Sequence, residues 1–411
     1  MRPGARFPLK IAPEPAKRSP MTETDLSLAT PLATWLVQFA QAGAGPELVV
    51  YRGSLTPREL DAPVRETAAL VQGAAVHDLG WLRCVAVRGE DRFRWLSGMV
   101  TNTVNDLGEN SGAWNLVLNA QGRIQGDLHV WREGDSLELE IAADQYDRLL
   151  AHLERFIIMD DVELAQLSED SALGLAGPQA AGVLARLGFP APLEPLTSAR
   201  AAWNGEKLRV VRGYGVLAPH YEIWVRAAAE IPALWQALIE AGATPVGAAT
   251  LEAFRIAEGI PAYGVDIAER DLPQEVVQQV ANFPGAIKSV RANSEQSAPP
   301  QVALSFNKGC YLGQEIVERI RSRGSVHRHL RQLELSGPVP AAGAKLNLEG
   351  GVIVGEITSA AELTLRTGSR VFALGMMRGE AEVRNQSFTY NAGTTTGSAR
   401  ILAAQPVLET E

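Results

Sequence analysis

The sequence predicts an α+β fold in which two pseudo-repeated α+β units are followed by a small C-terminal β-barrel. One observation is a recurrence: residues 85–89 and 173–177 are both short apolar stretches that end in glycine just before a helical pattern. The other is a change in the hydrophobic pattern after His329, where short segments of alternating apolar residues are separated by Gly and Pro. A chain of 411 residues is long enough for two or three such domains.

These patterns divide the chain into four segments. We expect a disordered, basic and proline-rich extension over 1–30, a first α+β domain with N-terminal helices over 31–165, a second α+β domain over 166–328, and the barrel over 329–411. The extension has no apolar stretch of the secretory kind, and its prolines interrupt an amphipathic helix. A disordered segment, or a start codon ahead of a true start at Met21, explains it better than a transit leader.

Hydrophobic periodicity places the elements of the first unit. It predicts a helix from Pro31 to Gly43, a second helix that opens at Thr56-Pro57, and a third helix with Asp144 as its N-cap. The other predicted elements of this unit are a strand at 81–89, a short helix at 93–99, and strands at 114–119, 123–131 and 137–142.

The second unit repeats this order. Its predicted elements are a strand at 173–177, a helix at 179–187, strands at 207–212 and 221–226, and a helix at 231–241. A further helix over 249–258 ends at Gly259-Ile260-Pro261, a strong stop signal. The polar, Pro/Ser-rich residues 285–300 predict an exposed loop.

Composition excludes several functions. The net charge of −9 argues against a general nucleic-acid binder, because phosphate contacts need clustered Lys and Arg. Two cysteines cannot build a disulfide framework or a self-contained four-cysteine iron–sulfur site, and such usage fits a reducing compartment. No apolar run reaches the roughly 18 residues of a membrane-spanning helix. We therefore expect a cytoplasmic monomer without membrane contact.

The most informative stretch is Asn307-Lys308-Gly309-Cys310-Tyr311-Leu312-Gly313-Gln314-Glu315. Cys310 lies between two glycines, beside Lys308 and ahead of a helix predicted to begin near Gln314. A lysine and a helix N-terminus both favour the thiolate form of a cysteine. Free cysteines are, however, among the most buried residue types. A reactive thiol and a buried cysteine in a tight turn are the two interpretations.

This stretch, with Arg319, Arg323-Gly324 and Arg328 behind it, resembles the signature of the YgfZ family. These are folate-binding proteins related to the T-protein (aminomethyltransferase) of the glycine cleavage system. Residues 255–266, 272–275, 89–97 and 101–102 also resemble the family, and the similarity extends over roughly residues 75–400. T-proteins typically lack the cysteine at this place, so Cys310 favours the iron–sulfur branch of the two.

The resemblance implies a three-domain ring around an opening that holds tetrahydrofolate or another folate derivative. It also implies a role in iron–sulfur cluster assembly, delivery or repair, with folate and iron–sulfur client or assembly proteins as partners and with no resident metal. It assigns the chemistry to Cys310 and Asp127. The residues it implies for cofactor binding are Glu222, Tyr263, Lys308, Tyr311, Gln314, Glu315 and Arg319.

Asp127 falls where T-proteins carry an Asp-Asp pair whose carboxylate faces the folate and transfers protons. A carboxylate on an apolar strand suits such a role if it is partly buried, and is otherwise a solvated residue at a strand end. The first aspartate of the pair is replaced by Gly126, and the nearby asparagine expected of a T-protein is Ala142 or Ala143. Both departures weaken the prediction of aminomethyl transfer.

Glu222 matches the position where T-proteins use a glutamate to hold the pterin ring. A carboxylate accepts two hydrogen bonds side by side from an amino-pyrimidine edge. The alternative is the polar face of an alternating strand. Tyr263 and Asp266 follow a helix, and they either line the folate opening or are turn residues.

Positive residues are concentrated around the cysteine stretch. Two interpretations are open: a basic entrance for a polyglutamylated folate tail or an acidic partner, and a solvated helix face with local pairs such as Glu315–Arg319. The positive residues, which outnumber Glu315 and Glu318 there, are Lys308, Arg319, Arg321, Arg323, Arg328 and Arg331.

Three functions are therefore considered. The first is a folate-binding factor, accessory rather than catalytic, that supports iron–sulfur proteins through Cys310. The second is a folate-dependent aminomethyltransferase that uses Asp127. The third is an interaction module that senses a small molecule and performs no chemistry. The cysteine favours the first.

Overall fold

The computed structural model describes residues 26–39, 45–276, 303–324, 326–348, 350–382 and 387–408. Most of the predicted N-terminal extension and all of the predicted loop at 285–300 lie outside these ranges. Within them, no helix is both long and apolar enough to cross a membrane.

The chain begins with a small N-terminal layer and then forms two copies of one α+β unit. The N-terminal elements are α1 (Pro31–Phe39), β1 (Leu48–Tyr51), β2 (Ser54–Pro57), α2 (Pro63–Gln72) and β3 (Ala75–Asp78). The first unit consists of β4 (Leu82–Arg88), α3 (Arg92–Met99), β5 (Ser111–Leu118), β6 (Ile124–Glu133), β7 (Ser136–Ala142), α4 (Tyr146–Glu154) and β8 (Glu163–Gln166).

The second unit repeats the order strand, helix, three strands, helix, strand. It consists of β9 (Ser171–Ala176), α5 (Ala180–Arg186), β10 (Thr197–Trp203), β11 (Glu206–Arg212), β12 (His220–Val225), α6 (Ile231–Glu240) and β13 (Thr244–Val246). The predicted recurrence is therefore present in the structure. Both units belong to one sheet with the strand order β13-β3-β9-β12-β11-β10-β5-β6-β7-β4-β8.

The two units meet through the inner faces of their strands. Side chains alternate along a strand, so one face of each unit packs against its own helices and the other face is left for the partner unit. Trp131 and Cys84 of the first unit share a buried cluster with Val211 and Trp224 of the second. The same inner faces carry the polar residues of the candidate site.

The C-terminal part forms a closed barrel. Two helices precede it in the chain, α7 (Ala248–Glu258) and α8 (Gln314–Arg323). The barrel region consists of β14 (Arg328–Ser336), β15 (Lys345–Asn347), β16 (Ile353–Leu365), β17 (Gly368–Arg378), the short helix α9 (Gly379–Glu382), β18 (Phe388–Ala392) and β19 (Thr395–Ile401). Two α+β units and a C-terminal barrel confirm the predicted fold class.

Asp266 joins the barrel to the second unit. Its buried carboxylate pairs with Arg255 at 2.7 Å and accepts hydrogen bonds of 2.6 Å from the hydroxyls of Thr358 and Ser359. Gln332 adds bonds of 3.1 and 2.6 Å to the carbonyls of Ile256 and Ala257. Of the two interpretations of Asp266, the structure therefore supports a structural one.

Two of the local predictions are wrong. Thr56-Pro57 opens no helix, because Leu55 and Thr56 are buried and paired with β1. The helix begins instead at Pro63, where the missing N–H of proline costs nothing.

Asp144 does not cap α4, because its carboxylate is 3.3 Å from the Arg52 guanidinium and the N-cap residue is Gln145. Strand β10 was not predicted, since its Thr-Ser-Ala-Arg-Ala-Ala-Trp sequence lacks an apolar alternation.

Candidate functional site

A cavity of about 250 Å³ lies between the inner faces of the two units and beneath α7. This is slightly below the ~300–1,000 Å³ typical of ligand pockets, so it suits one fused ring system rather than a whole folate. Its walls are apolar over most of their area, although half of the lining residues have polar or titratable side chains. The polar or titratable residues of the lining are Tyr51, Arg52, His77, Asp127, His129, Glu140, Gln145, Tyr214, His220, Glu222, Arg255 and Glu258.

Asp127 lines this cavity from β6 and is held on both carboxylate oxygens. The indole of Trp114 donates to one at 3.0 Å, and the Gln145 amide donates to the other at 2.8 Å. The Gln145 carbonyl oxygen also accepts from the Asp127 backbone N–H at 3.0 Å. A Cβ on Gly126 would stand 2.7 Å from that same oxygen. Glycine at 126 therefore makes room for the amide that orients Asp127.

Glu222 lines the cavity from β12 and is buried beside a second carboxyl group. Trp224 donates to it at 2.9 Å, and Glu222 shares a hydrogen bond with Glu140. Burial, reinforced by the charge of Glu140, raises the pKa of Glu222 well above its usual value. Glu222 is therefore the protonated member of the pair in the ligand-free protein.

Glu140 is the ionised member of this carboxyl pair. The Trp131 indole donates to it at 2.9 Å, and the Nδ1 atom of His129 lies 3.3 Å from its other oxygen. Burial opposes its ionisation, but the hydrogen bond and charge of His129 bring its pKa below the ordinary value. One proton is thus held between two carboxyl groups at the cavity wall.

Glu258 closes another side of the cavity from the end of α7. Its carboxyl accepts the backbone N–H groups of Val216 at 2.8 Å and Leu217 at 2.9 Å. Burial raises its pKa from 4.5 to about 7, against the opposing effect of these hydrogen bonds. Glu258 therefore fixes the loop that follows Gly213-Tyr214-Gly215.

Replacing Glu258 by glutamine should remove one pH dependence of stability. A carboxyl with a higher pKa in the folded state loses its proton first in the unfolded state, so stability falls as the pH rises from about 4.5 to about 7. The glutamine oxygen can still accept both N–H groups but does not titrate. We expect the variant to gain about 2–3 kcal/mol relative to the wild type between pH 5 and pH 8 in urea unfolding. If the free energy of unfolding changed with pH in the same way for the variant and the wild type, this prediction would be contradicted.

The cysteine stretch lies outside the cavity. None of the described residues 307–315 belongs to its lining. Cys310 is exposed, whereas Cys84 is buried and its pKa is raised well above the usual value by burial. The buried-turn interpretation of Cys310 is therefore not what the structure shows. Gly309 has no atom within 4 Å of the place of a Cβ, so the stretch is not crowded at that residue.

Lys308 anchors this stretch to the end of α3. Its ammonium donates to the carbonyls of Ser97, Val100 and Asn102 at 2.7, 2.5 and 2.8 Å, so all three donors are used away from the thiol. Burial lowers the pKa of Lys308 to about 8, and the three carbonyls oppose that shift, so the group is charged at neutral pH. These three hydrogen bonds give Lys308 a positioning role for the stretch around Cys310.

Replacing Lys308 by methionine should destabilise the protein by about 2 kcal/mol, because three carbonyls at the end of a helix lose their donor. It should also increase hydrogen exchange of the amides around Cys310. Urea unfolding and mass-resolved exchange would measure both. The matched control is Arg319→Met, since Arg319 is exposed and its ion pair with Glu315, at 2.6 Å, is also exposed. Equal stability of the two variants would contradict the anchoring role.

Gly313, the second glycine of the stretch, immediately precedes α8, and its geometry explains why a glycine is needed there. Its φ of +82° is left-handed, and a Cβ there would stand 2.5 Å from the Asn119 carbonyl oxygen. The close neighbour is therefore the β5–β6 turn of the chain itself. Leu312 adds a backbone bond of 2.9 Å to Gly98, and Gln314 accepts the Tyr311 N–H at 3.3 Å.

The other predicted binding residues lie around this anchored stretch or behind the cavity. Tyr311 is buried with the Lys308 ammonium 5.2 Å from its ring, and Tyr263 is buried with its hydroxyl 3.4 Å from the Ile124 carbonyl. Neither lines the cavity, nor do Gln314, Glu315 and Arg319.

The positive residues near the stretch mostly have acidic partners. Arg319 pairs with Glu315, Arg321 lies 3.5 Å from Glu318, and Arg328 lies 2.7 Å from Asp271 and 2.9 Å from Glu275. The interpretation as a locally paired helix face fits these contacts better than an open basic entrance.

Sequence reasoning missed His77, Gln145 and His220 in the cavity. His77 lies on β3, far from β6 and β12 in the chain, and only sheet pairing brings it to the site. The alternation of β3 could have placed His77 on one face, but not in a particular row. Within the described residues, no group of three or more His, Cys, Asp or Glu side chains is arranged to hold a metal ion.

The double α+β unit, the barrel and the carboxylate-lined cavity define a folate-utilising protein built on the scaffold of the glycine cleavage T-protein. The chain belongs to the family described by the GCVT N-terminal domain, whose model matches residues 37–281. The predicted relationship to this family is thereby confirmed, and membership supports a folate as the cofactor.

Individual relatives include both branches that the sequence suggested. An aminomethyltransferase of Rubrobacter xylanophilus is 28% identical over 324 residues, covering 77% of this chain and 79% of that protein. The tRNA-modifying protein YgfZ of Cronobacter sakazakii is 26% identical over 270 residues, covering 64% and 73%. The crystal structure of the glycine cleavage system aminomethyltransferase T of Bartonella henselae has a TM-score of 0.74 at 20% identity, covering 91% of this chain and 96% of that one, and shows the fold alone.

Proposed function

We propose that this protein binds a folate in the cavity between its two units and supports the assembly or repair of iron–sulfur clusters through Cys310. The observation that carries the proposal is an exposed cysteine on an anchored stretch outside the cavity. The thiol can reach a partner protein while the folate ring is enclosed elsewhere. Folate and iron–sulfur client or assembly proteins are the partners in this proposal.

The composition of the cavity supports a folate ring there. A pterin has a planar apolar body and an amino-pyrimidine edge with adjacent donors, which suits apolar walls with a carboxyl group at one side. Glu222 would accept from that edge once ionised, and Asp127 would face the ring from the first unit. In addition, neither ring nitrogen of the buried His77 makes a hydrogen bond of normal geometry among the described residues, and a bound ring would supply one.

The surroundings of Cys310 support an accessory role rather than a catalytic one. Among the described residues, Cys310 belongs to no group of three or more His, Cys, Asp or Glu side chains arranged to hold a metal ion. A thiol of this kind can form a mixed disulfide or supply one ligand of a cluster completed by a partner. The name of the Cronobacter relative assigns tRNA modification to that protein, and the net charge of −9 favours a protein partner over RNA for this chain.

The test compares Cys310→Ala with Asn307→Ala, an exposed neighbour in the same stretch. Both variants should keep the wild-type Tm and the wild-type Tm shift with tetrahydrofolate, because both side chains are exposed. Only Cys310→Ala should fail to complement a strain that lacks its own maintenance factor for iron–sulfur enzymes. Full complementation by Cys310→Ala would overturn the proposal.

The second candidate is a folate-dependent aminomethyltransferase. It is favoured by the aminomethyltransferase relatives and by the hydrogen bonds from Trp114 and Gln145 that orient Asp127. Purified protein would then turn over an aminomethyl-loaded lipoyl carrier, and Asp127→Asn would abolish turnover while leaving folate binding intact. No detectable product from the wild type would exclude it.

A further inference from the structure

His77 is the residue of the cavity that the proposed roles leave unexplained. It is 2% exposed and lines the cavity, and neither ring nitrogen makes a hydrogen bond of normal geometry within the described part of the chain. A buried polar group without a partner costs about 1–3 kcal/mol, so such groups are rare and usually have a ligand or a water. By contrast, the buried His152 bonds the Leu118 carbonyl at 3.2 Å.

The sheet aligns His77 with Glu222. In the register of the strands, His77 is opposite Gly174 and Gly174 is opposite Glu222, so the three residues form one row across β3, β9 and β12. A Cβ on Gly174 would stand 2.0 Å from the imidazole. The ring of His77 therefore lies over Gly174, the residue between His77 and Glu222 in this row.

The imidazole is held neutral and so offers one donor and one acceptor. Burial, together with the nearby His220 whose ring centroid is 5.3 Å away, lowers the pKa of His77 to about 3, against the opposing effect of a weak contact with the Asp78 backbone. A neutral imidazole and a carboxyl in one row suit a heteroaromatic ring whose edge carries donors and acceptors in alternation. They suit a hydrocarbon ligand poorly.

We propose that His77 is a ligand-binding residue of the cavity, and that its imidazole hydrogen-bonds the same folate ring that Glu222 contacts. This inference rests on the proposed folate site but assigns a residue that the family resemblance does not. His77 would supply the ring with one donor or acceptor bond that an aromatic hydrocarbon side chain cannot supply.

The test is calorimetric titration of tetrahydrofolate into the wild type, His77→Phe and His77→Gln, with His152→Phe as the matched control. We expect a roughly 10-fold weaker Kd for His77→Phe, the loss of one hydrogen bond, and a Kd within about threefold of the wild type for His77→Gln, whose amide keeps a donor and an acceptor. His152→Phe should leave the Kd unchanged. If His77→Phe does not fold, His77→Leu replaces it.

The ligand-free Tm separates a binding role from a structural one. His152→Phe removes a satisfied bond and should lower the Tm, whereas His77→Phe should keep or raise it. Binding by His77→Phe within twofold of the wild type, or a loss of Tm equal to that of His152→Phe, would overturn the inference. If the wild type itself binds no tetrahydrofolate, the proposed folate site fails, and the inference with it.

Discussion

Replacing Glu222 by glutamine should weaken tetrahydrofolate binding about 30-fold. The carboxylate can accept two parallel hydrogen bonds from an amino-pyrimidine edge, and a hydrogen bond to a charged acceptor contributes about 1.5–3 kcal/mol. Glutamine has the same size but only one acceptor oxygen, and its NH₂ group faces the donors of the ring. Calorimetric titration would measure the change in Kd.

The affinity for folate should also rise with pH. Burial and the charge of Glu140 raise the pKa of Glu222 and favour its protonated form, but the carboxyl must be ionised to accept from a donor edge. Increasing the pH therefore removes a proton that competes with the ligand. The groups that face the pair are His129, Arg209, His220 and Cys84. Because the hydrogen bond and charge of His129 lower the pKa of Glu140, the measurement should include a His129→Gln variant.

The matched control for Glu222 is Glu206→Gln, at the exposed start of the neighbouring strand β11. This variant should keep both the affinity and its pH dependence. A Glu222→Gln protein that binds tetrahydrofolate as tightly as the wild type, or with the same pH dependence, would show that Glu222 does not contact the ring.

Arg209→Ala should destabilise the protein by about 3 kcal/mol. The Arg209 guanidinium is buried between the two units, 5.7 Å from the Trp131 ring and 6.0 Å from the Trp224 ring. It lies 2.9 Å from the buried Glu138 carboxylate, which would then keep Arg226 as its remaining cation. Removing one partner of a buried ion pair typically costs about 3–5 kcal/mol, and the second cation puts this case at the lower end. Urea unfolding would measure the loss.

Arg200→Ala is a close control, because Arg200 is directly opposite Arg209 in the β10–β11 pairing. Arg200 is exposed and bonds Glu133 at 3.1 Å, so its loss should change stability by about 0.5 kcal/mol or less. If the two variants unfold at the same urea concentration, the buried arginine does not join the two units.

Patterns that are local in the chain could be interpreted from the sequence. The helix predicted to begin near Gln314 begins there, and α7 ends at Gly259 as predicted, because periodicity, glycine and proline act within a few residues. The barrel and the recurring unit were predicted for the same reason. The errors at Thr56-Pro57 and Asp144 arose where a distant partner, β1 or Arg52, competed with the local signal.

The site was only partly predictable. Asp127 and Glu222 were found through the family resemblance, and the structure brings both to one cavity. It places Lys308 on the carbonyls of α3 rather than on the thiol, a contact between residues about 210 positions apart. The sequence around Lys308 contains no pattern that predicts which backbone carbonyls its ammonium contacts.

By itself, the sequence determined the class of fold, the family relationship and the distinctive cysteine, because each depends on residues close together in the chain. Only the tertiary structure decided that Cys310 is exposed and outside the cavity, that Gln145 hydrogen-bonds Asp127, and that His77 shares a row with Glu222. The physical reason is that alternation assigns a side chain to a face of the sheet, while strand order and register assign it to a neighbour.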